Sequence, residues 1–178
     1  MRIVFIRHTS VAVPRGTCYG QTDVPVAGTF PAEAADVKRR LDGYHFDKVY
    51  CSPLTRCRKL AEYCGYPSPE IDDRLMEMNF GAWEMQLFDE IVDSRLQEWY
   101  DDFLNVAPTG GESSMDQARR LQSFLTSISE DCNDSDSTIA VFTHGGILIH
   151  ASVLLGDKTY DEAFRSLPDY GAILELRI

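Results

Sequence analysis

Three short apolar runs constrain most strongly how this chain can fold. They are Ile3–Ile6, Lys48–Cys51 and Thr138–Phe142. Each is apolar over nearly its whole length, as strands buried on both faces of a sheet are. Segments with helical spacing lie between the runs. Alternating strands and helices favour a mainly parallel sheet covered on both faces, so we predict an α/β fold, a three-layer α/β/α sandwich.

The remaining segments are assigned from their spacing and from residues that start or stop helices. Residues 9–30 carry too many prolines and glycines for a helix, so we expect a functional loop there. Ser52-Pro53 and the pair Ser114 and Gln117 have the pattern of helix N-termini. Five helices are predicted: one starting at Pro31, one over about 53–64, one over about 86–105, one starting at Ser114 and one directly after His144-Gly145-Gly146. We also expect a loop over Cys132–Ser137 and a last strand within Gly171–Ile178.

The composition fits one globular domain over residues 1–178. Hydrophobic residues make up 44% of the chain and charged residues 25%, which is ordinary for a globular domain. The formal net charge of −11 disfavours binding to nucleic acid or to an anionic membrane. No run approaches the roughly 20 apolar residues that span a bilayer, and the amino terminus lacks a signal-peptide pattern. We expect a cytoplasmic protein of unspecified oligomeric state.

Several functional classes lack their motifs in this chain. The five cysteines contain no C-x-x-C pair, which disfavours a zinc knuckle or a disulfide framework. H-E-x-x-H, a Walker-type glycine loop and G-x-S-x-G do not occur, which argues against zincins, P-loop NTPases and nucleophile-elbow hydrolases. Most of the cysteines are therefore expected to be reduced packing residues.

Basic and imidazole side chains follow all three predicted strands. Arg7-His8 follows the first strand, Arg56 lies shortly after the second, and His144 follows the third. The carboxyl ends of parallel strands share one edge of a sheet, where ligands bind. Arginine holds phosphate oxygens bidentately, and a histidine kept neutral by nearby cations can accept a phosphoryl group. Because the sequence shows no carboxylate cluster of the kind that binds Mg²⁺, we predict phosphohistidine chemistry without a metal or other cofactor.

Ordered motifs spread over nearly the whole chain carry a family resemblance. They are Ile6-Arg7-His8, Tyr19–Pro25, Cys51–Cys57, Leu75–Glu84, Gly110–Ser113 and Thr143–Gly146. With these motifs the chain resembles the histidine phosphatase superfamily, also called phosphoglycerate-mutase-like. The resemblance implies that fold and a small-molecule phosphomonoester as the binding partner.

The resemblance also implies a role for each matching residue. His8 would be the nucleophile and Glu77 the proton donor. Arg7, Arg56 and His144 would bind the transferred phosphoryl group. A facing phosphoryl dianion would raise the pKa of Glu77 and the arginines would lower it, so its protonation state stays open here. Substrate contacts are expected at Tyr19, Gly20, Gln21 and Gly145.

Within the superfamily, the opening residues are most similar to those of α-ribazole phosphatases of cobalamin biosynthesis. The similar segments are Arg7–Val11 and Gly16–Asp23. Such enzymes remove a 5′-phosphate from a benzimidazole nucleoside or its corrinoid adduct. The chain departs from the superfamily at Thr9 and Met85, which stand where glycines usually follow Arg-His and Trp-Glu. We expect Met85 near the rim of the pocket.

Residues 83–108 are expected to form a cap over the site, and their composition bears on the substrate. Residues 83–105 contain one basic residue, Arg95, and seven acidic residues. A second anionic group on the substrate would therefore lack cationic partners there. A flat heteroaromatic ring could stack on the aromatic residues of the cap, although such residues can also simply form core. The aromatic residues are Trp83, Phe88, Trp99, Tyr100 and Phe103.

Alternative functions differ in what happens to the phosphoryl group. A mutase of the phosphoglycerate type would return it to a different hydroxyl, and a broad-specificity phosphatase would release it from many esters. A non-catalytic phospho-ligand binding module would keep the arginines and turn nothing over. The two remaining histidines, His45 and His150, are interpreted as surface or packing residues and as structural, respectively.

Overall fold

The structure, a computed structural model, describes residues 1–131 and 136–178. Its strands are β1 (Arg2–Arg7), β2 (Lys48–Cys51), β3 (Glu70–Ile71), β4 (Thr138–Thr143) and β5 (Ile173–Arg177). They form one sheet in the order β3-β2-β4-β1-β5. β5 runs antiparallel to β1, and every other pairing in this sheet is parallel. The mainly parallel sheet is therefore confirmed.

Helices in the described part of the chain cover both faces of the sheet. They are α1 (Phe30–Arg40), α2 (Thr55–Tyr63), α3 (Arg95–Asp101), α4 (Ser114–Asp131), α5 (Gly145–Leu154) and α6 (Tyr160–Arg165). Short 3₁₀ helices lie at Asp73–Leu75, Gly81–Trp83 and Phe88–Glu90.

The sheet separates two hydrophobic cores. Successive side chains of a strand point to opposite faces, and β1 shows the consequence. Ile3 and Phe5 pack into the core formed with α4 and α5, whereas Val4 and Ile6 pack into the core formed with α1 and α2. All four side chains are fully buried. This arrangement confirms the three-layer α/β/α sandwich.

The predicted start of α2 is wrong by two residues. α2 begins at Thr55 rather than Pro53, and its N-cap residue is Leu54. The hydroxyl of Ser52 lies 2.7 Å from Nε2 of His144, so this side chain joins two strand ends instead of capping the helix.

The capping box of α4 lies one residue earlier than predicted. The N–H of Asp116 donates to Oγ of Ser113 at 3.1 Å, and the N–H of Ser113 donates to the Asp116 carboxylate at 3.0 Å. These are the reciprocal bonds of a capping box. The predicted pair, Ser114 and Gln117, lies inside the helix, where Gln117 bonds to Glu77.

The predicted helix over 86–105 is also wrong, because only α3 and the 3₁₀ helix at Phe88–Glu90 form there. The Asp93 carboxylate accepts hydrogen bonds from Nε1 of Trp83 at 2.7 Å and from the N–H of Arg95 at 2.9 Å. Such side-chain to backbone bonds compete with helix formation. α3 accordingly starts only after Asp93.

The described cysteines are free and buried: Cys18, Cys51, Cys57 and Cys64. Burial raises the pKa of the Cys18 and Cys51 thiols to about 12 and that of Cys64 to about 11. These are the properties of packing residues. The predicted loop at Cys132–Ser137 lies largely outside the described residues. None of the helices in 1–131 and 136–178 is both long and apolar enough to cross a bilayer.

Candidate active site

The ends of β1, β2 and β4 bring the predicted histidines together. β4 lies between the other two strands and pairs Thr143 with Arg7 and Phe142 with Cys51, so the residues that follow all three strands share one sheet edge. The rings of His8 and His144 meet edge to face, with centroids 5.1 Å apart. The strand-end prediction therefore holds for both imidazoles.

His8 is held as a neutral imidazole. Its Nδ1 lies 2.7 Å from the carbonyl oxygen of Thr9, which only accepts hydrogen bonds, so this nitrogen carries the proton. Nε2 is then left with its lone pair. Burial lowers the pKa of His8 to about 3, and the positive charges of Arg56 and Arg7 add to that effect. A neutral imidazole with a free Nε2 lone pair is a competent nucleophile.

Arg56 is completely buried and bonds to carbonyl groups of the loop that precedes α1. Its two terminal nitrogens donate to the carbonyl oxygens of Thr22 at 3.0 Å and Gly20 at 2.5 Å. Its Nε has no hydrogen-bond partner. Gly20 is required at this contact, because a Cβ there would lie 1.8 Å from the Met78 carbonyl oxygen.

Arg7 also has a buried nitrogen without a hydrogen-bond partner. One terminal nitrogen donates to the carbonyl oxygen of Pro168, and Nε is buried without a partner. The ion pairs of the described residues include neither Arg7 nor Arg56. Each guanidinium therefore keeps a buried Nε–H without a partner among the described residues, and an anion could accept a hydrogen bond from it. Two such groups beside two imidazoles indicate an anion-binding site.

His144 is fixed by polar contacts on the β2 side. Its Nε2 lies 2.7 Å from the Ser52 hydroxyl and 3.4 Å from Sγ of Cys57. Burial lowers the pKa of His144 far below its usual value, and the charge of Arg56 acts in the same direction. His144 is therefore neutral at physiological pH and available as a hydrogen-bonding group.

Glu77 is held as a hydrogen-bonded carboxylate. Oε1 accepts from Nε2 of Gln117 and from the N–H of Met78, both at 2.9 Å, and Oε2 accepts from the N–H of Gly146 at 3.2 Å. Burial alone would raise the pKa of Glu77, but these bonds and the charge of Arg7 outweigh it and lower the pKa. The ionised form therefore prevails without substrate, a balance that the sequence left open.

The glycines after His144 make room for these side chains. A Cβ on Gly145 would lie 3.1 Å from Cζ of Arg7, and a Cβ on Gly146 would lie 2.4 Å from Oε1 of Glu77. Their absent side chains let the guanidinium and the carboxylate approach the first turn of α5.

Of the other predicted substrate contacts, Tyr19 lines the cavity described below, and Gln21 hydrogen-bonds to the segment that carries Glu77. The side-chain N–H of Gln21 donates to the carbonyl oxygen of Glu77 at 3.2 Å, and its backbone N–H donates to Glu84 at 2.8 Å.

A cavity of about 590 Å³ opens beside Arg7 and Glu77. Seven of its fifteen lining residues are aromatic, and four of these seven belong to the predicted cap. Arg7 is the one cation and Glu77 the one carboxylate among the described residues that line it. The full lining is Arg7, Thr17, Tyr19, Glu77, Met78, Phe80, Phe88, Trp99, Tyr100, Phe103, Ser114, Gln117, Gly146, Phe164 and Leu167.

The two departures from the superfamily pattern have different surroundings. Thr9 is buried, and its carbonyl oxygen receives the Nδ1–H of His8. Met85 is 49% exposed and has a φ of 67°, in the left-handed region that favours glycine. Among the described residues, Met85 alone combines a side chain with a positive φ.

The remaining histidines differ in burial, and both are consistent with the roles predicted for them. His150 is buried on α5, with Nε2 3.3 Å from Oγ of Ser114 and Nδ1 without a partner. Burial lowers its pKa to about 4. His45 is exposed.

Tyr170 belongs to the site but was missed by the sequence interpretation. Its ring lies 5.6 Å from that of His8 and 4.3 Å from Cζ of Arg7. β5 is antiparallel, and its first residue, Ile173, pairs with Ile6 at the end of β1. Residues just before β5 therefore reach the same sheet edge as residues just after the parallel strands. An antiparallel last strand, had it been predicted, would have placed Tyr170 at this edge.

Comparisons with known proteins agree with the fold and with the residues at its edge. Residues 3–178 match the histidine phosphatase superfamily (branch 1). An Escherichia coli protein described as an adenosylcobalamin/alpha-ribazole phosphatase is 28% identical over 155 residues, which cover 83% of this chain and 75% of that protein.

Solved structures give the same result. A structure from Escherichia coli, provisionally assigned as an alpha-ribazole-5′-P phosphatase, has 26% identity and a TM-score of 0.87, and the match covers 98% of this chain and 89% of that one. A phosphoglycerate mutase from Thermus thermophilus has 29% identity and a TM-score of 0.76, with coverage of 98% and 92%. Because the superfamily match spans residues 3–178 and the structural matches span 98% of the chain, this protein belongs to the histidine phosphatase superfamily and is a phosphatase.

Proposed function

We propose that this phosphatase hydrolyses a phosphomonoester through a phosphohistidine on His8, and that its substrate is α-ribazole 5′-phosphate or the cobalamin adduct of that nucleotide. The observation that carries the proposal is the aromatic cavity that opens directly onto Arg7 and Glu77. It offers a surface on which a benzimidazole ring stacks while the phosphoryl group enters the anion site. We also propose that residues 1–178 form one domain, with residues 83–108 as its cap.

The first chemical step transfers the phosphoryl group to the protein. The Nε2 lone pair of neutral His8 attacks phosphorus, and the bond from phosphorus to the ester oxygen breaks in line. Glu77, protonated when the phosphoryl dianion binds beside it, donates its proton to the departing oxygen. The products of this step are the free alcohol, a Glu77 carboxylate and phosphohistidine.

The second step restores the protein. The Glu77 carboxylate accepts a proton from water as the water oxygen attacks phosphorus, and the bond from phosphorus to Nε2 breaks. Inorganic phosphate leaves, His8 regains its lone pair, and Glu77 is protonated again. In both steps Arg7, Arg56 and neutral His144 bind the phosphoryl oxygens, and the guanidiniums stabilise the charge that develops in the transition state.

Several features favour a nucleoside-like alcohol. Arg7 is the one cation along the described lining of the cavity, and it lies at the phosphoryl end. A second phosphate or carboxylate on the substrate would therefore be desolvated without a counter-charge. An aromatic ring instead gains offset-stacked or edge-to-face contacts. The names of the two Escherichia coli relatives support the same alcohol.

Phosphoryl transfer of the mutase type is a second candidate, because the Thermus thermophilus relative is described as a phosphoglycerate mutase. A mutase must hold a bisphosphorylated intermediate, and the cavity has no second cation for it among its described lining residues. A broad-specificity phosphatase would show little preference among alcohols. A non-catalytic binding module would bind phosphate esters without turnover.

The test compares kcat/KM over a panel of α-ribazole 5′-phosphate, nucleoside monophosphates, sugar phosphates and 3-phosphoglycerate. We expect the highest value for α-ribazole 5′-phosphate, release of inorganic phosphate from each substrate that reacts, and no isomerised ester when a bisphosphorylated primer is present. Equal values for α-ribazole 5′-phosphate and simple esters would overturn the substrate assignment.

The chemistry has its own test, which does not depend on the substrate. Rapid alkaline quench during turnover of an aryl phosphate should trap a phosphoenzyme that survives base and loses its phosphate in acid, and His8→Ala should form none and lose hydrolysis. We propose that the reaction needs no metal, so chelator should leave the rate unchanged. Wild-type turnover by His8→Ala would refute the phosphohistidine route.

A further inference from the structure

The ring of Tyr170 packs against the imidazole of His8. The two ring centroids lie 5.6 Å apart. His8 is 1% exposed, whereas Tyr170 is 41% exposed. The buried nucleophile of the proposed reaction therefore packs against a ring that itself faces solvent, and we call this ring the cover.

A hydrogen bond between two tyrosines holds the cover in place. The hydroxyl oxygens of Tyr170 and Tyr19 lie 2.6 Å apart and join chain segments 151 residues from each other. Tyr19 belongs to the loop before α1, and Tyr170 to the segment before β5. We call this contact the tyrosine bridge.

Each tyrosine of the bridge also contacts one of the two unpaired arginines. Cζ of Arg7 lies 4.3 Å from the ring centroid of Tyr170, and Cζ of Arg56 lies 5.5 Å from that of Tyr19. Guanidiniums at these distances are attracted to the ring faces. The bridge therefore connects the two cations of the anion site, since each of its rings packs against one guanidinium.

We propose that Tyr170 is a positioning residue of the phosphoryl site: through the tyrosine bridge it holds Arg7 and Arg56 in place and covers His8 until a phosphoryl group displaces the bond between the hydroxyls. The inference rests on the proposed function, because it takes His8 and the arginines as the groups that receive the phosphoryl group.

An entering phosphoryl group offers the hydroxyls a better partner than each other. Within the bridge one hydroxyl donates and the other accepts. Beside a phosphoryl group both can donate to anionic oxygens, and such charge-assisted bonds are stronger than bonds between neutral groups. Burial raises the pKa of Tyr19, so its hydroxyl stays protonated and can donate.

The test of the cover is the accessibility of His8 to diethyl pyrocarbonate, which acylates neutral imidazole. At pH 6 His8 is neutral, given its pKa of about 3, so differences in rate between variants report access. Tryptic peptides separate the relevant histidines: His8 is the sole histidine of residues 8–15, and exposed His45 is the sole histidine of residues 41–48. His45 thus provides the reference rate within each sample.

We expect Tyr170→Phe and Tyr19→Phe each to speed acylation of His8 by about three- to tenfold relative to His45, the range for loss of one hydrogen bond. The double variant should be no faster than either single variant, because both remove the same bond. Tyr63→Phe, a partly exposed tyrosine that packs on Phe30, is the matched control and should behave as wild type.

The positioning role is tested with inorganic phosphate as a competitive inhibitor of aryl phosphate hydrolysis. Tyr170→Phe keeps the ring over Arg7 but loses one donor to phosphate, so its inhibition constant should rise by about threefold, whereas Tyr170→Ala also loses the ring and should weaken phosphate by about tenfold or more. Wild-type acylation in both phenylalanine variants, or wild-type phosphate inhibition in Tyr170→Ala, would overturn this inference. If His8→Ala keeps turnover, the proposed function fails instead, whatever the tyrosine variants show.

Discussion

Gln117 donates a side-chain N–H to Oε1 of Glu77 at 2.9 Å, across 40 residues of sequence. Burial by itself would raise the pKa of Glu77, yet this bond, the bonds from the N–H groups of Met78 and Gly146, and the charge of Arg7 lower it. The carboxyl group is thus ionised before substrate binds. A phosphoryl dianion placed beside it favours the protonated form, so the proton needed for catalysis arrives with substrate binding.

This relationship predicts an effect of Glu77→Gln that depends on the leaving group. The variant cannot donate a proton, so the single-turnover rate of phosphoryl transfer from an alkyl ester should fall by about 10²- to 10⁴-fold. The rate from para-nitrophenyl phosphate should fall far less, because nitrophenolate leaves without a proton. Equal losses for the two esters, measured by rapid quench, would exclude Glu77 as the proton donor.

The buried neutral histidines predict a loss of stability in mild acid. Burial lowers the pKa of His8 to about 3 and that of His150 to about 4, whereas an unfolded histidine has a pKa near 6.5. As the pH falls below 6.5, the unfolded chain therefore binds protons that the folded chain does not. The free energy of unfolding should fall by about 1.4 kcal/mol per pH unit for each such histidine.

Urea unfolding between pH 6 and 5 measures this slope in a window above the ordinary carboxyl pKa values. His150→Gln should reduce the slope by one histidine's share, and His45→Gln, at an exposed position, should leave it unchanged. An unchanged slope in His150→Gln would show that His150 takes up its proton in the folded protein as readily as in the unfolded chain.

Much of the fold is predictable because it follows from local patterns. The apolar runs match β1, β2 and β4 to within one residue at each end, and parallel pairing then carries His8, Arg56 and His144 to one edge. The aromatic cap was harder to predict, because one acidic side chain, Asp93, bonds to Trp83 and Arg95 and delays the start of α3.

The contacts missed in the sequence are those that join distant segments. Gln117 has the spacing of a capping-box partner, and nothing local indicates that its amide reaches Glu77. Tyr170 precedes a strand, and it enters the site only because β5 is antiparallel. Glu77 itself was assigned from the family resemblance, since a single glutamate in an irregular segment carries no periodic signal.

Met85 predicts a stabilising substitution. Its φ of 67° places a Cβ in the left-handed region, which costs about 1–2 kcal/mol for a residue other than glycine. Its side chain is 49% exposed and loses little packing on removal. Met85→Gly should therefore raise the free energy of unfolding by about 1 kcal/mol, measured by urea titration at pH 7. Val92→Gly, at a 98% exposed position without a positive φ, should not stabilise the protein.

The charge of the cavity predicts how its selectivity can be changed. Tyr100 lines the cavity and is 53% exposed, so a lysine at this position keeps its stem on the wall and its ammonium group in solvent. Tyr100→Lys supplies the second cation that the described lining lacks. It should raise kcat/KM for 3-phosphoglycerate by about two- to fivefold, which corresponds to about 0.5–1 kcal/mol for one partly screened ion pair.

The same substitution removes an aromatic contact, so kcat/KM for α-ribazole 5′-phosphate should fall by about threefold to tenfold. Tyr63→Lys adds the same charge at a residue outside the cavity and controls for long-range attraction of anions. If Tyr63→Lys raised kcat/KM for 3-phosphoglycerate as much as Tyr100→Lys, net charge would explain the gain. Both variants change the net charge equally and differ only in where the ammonium group lies. If only Tyr100→Lys raises kcat/KM for 3-phosphoglycerate, the lack of a second cation in the cavity is therefore what excludes doubly anionic substrates.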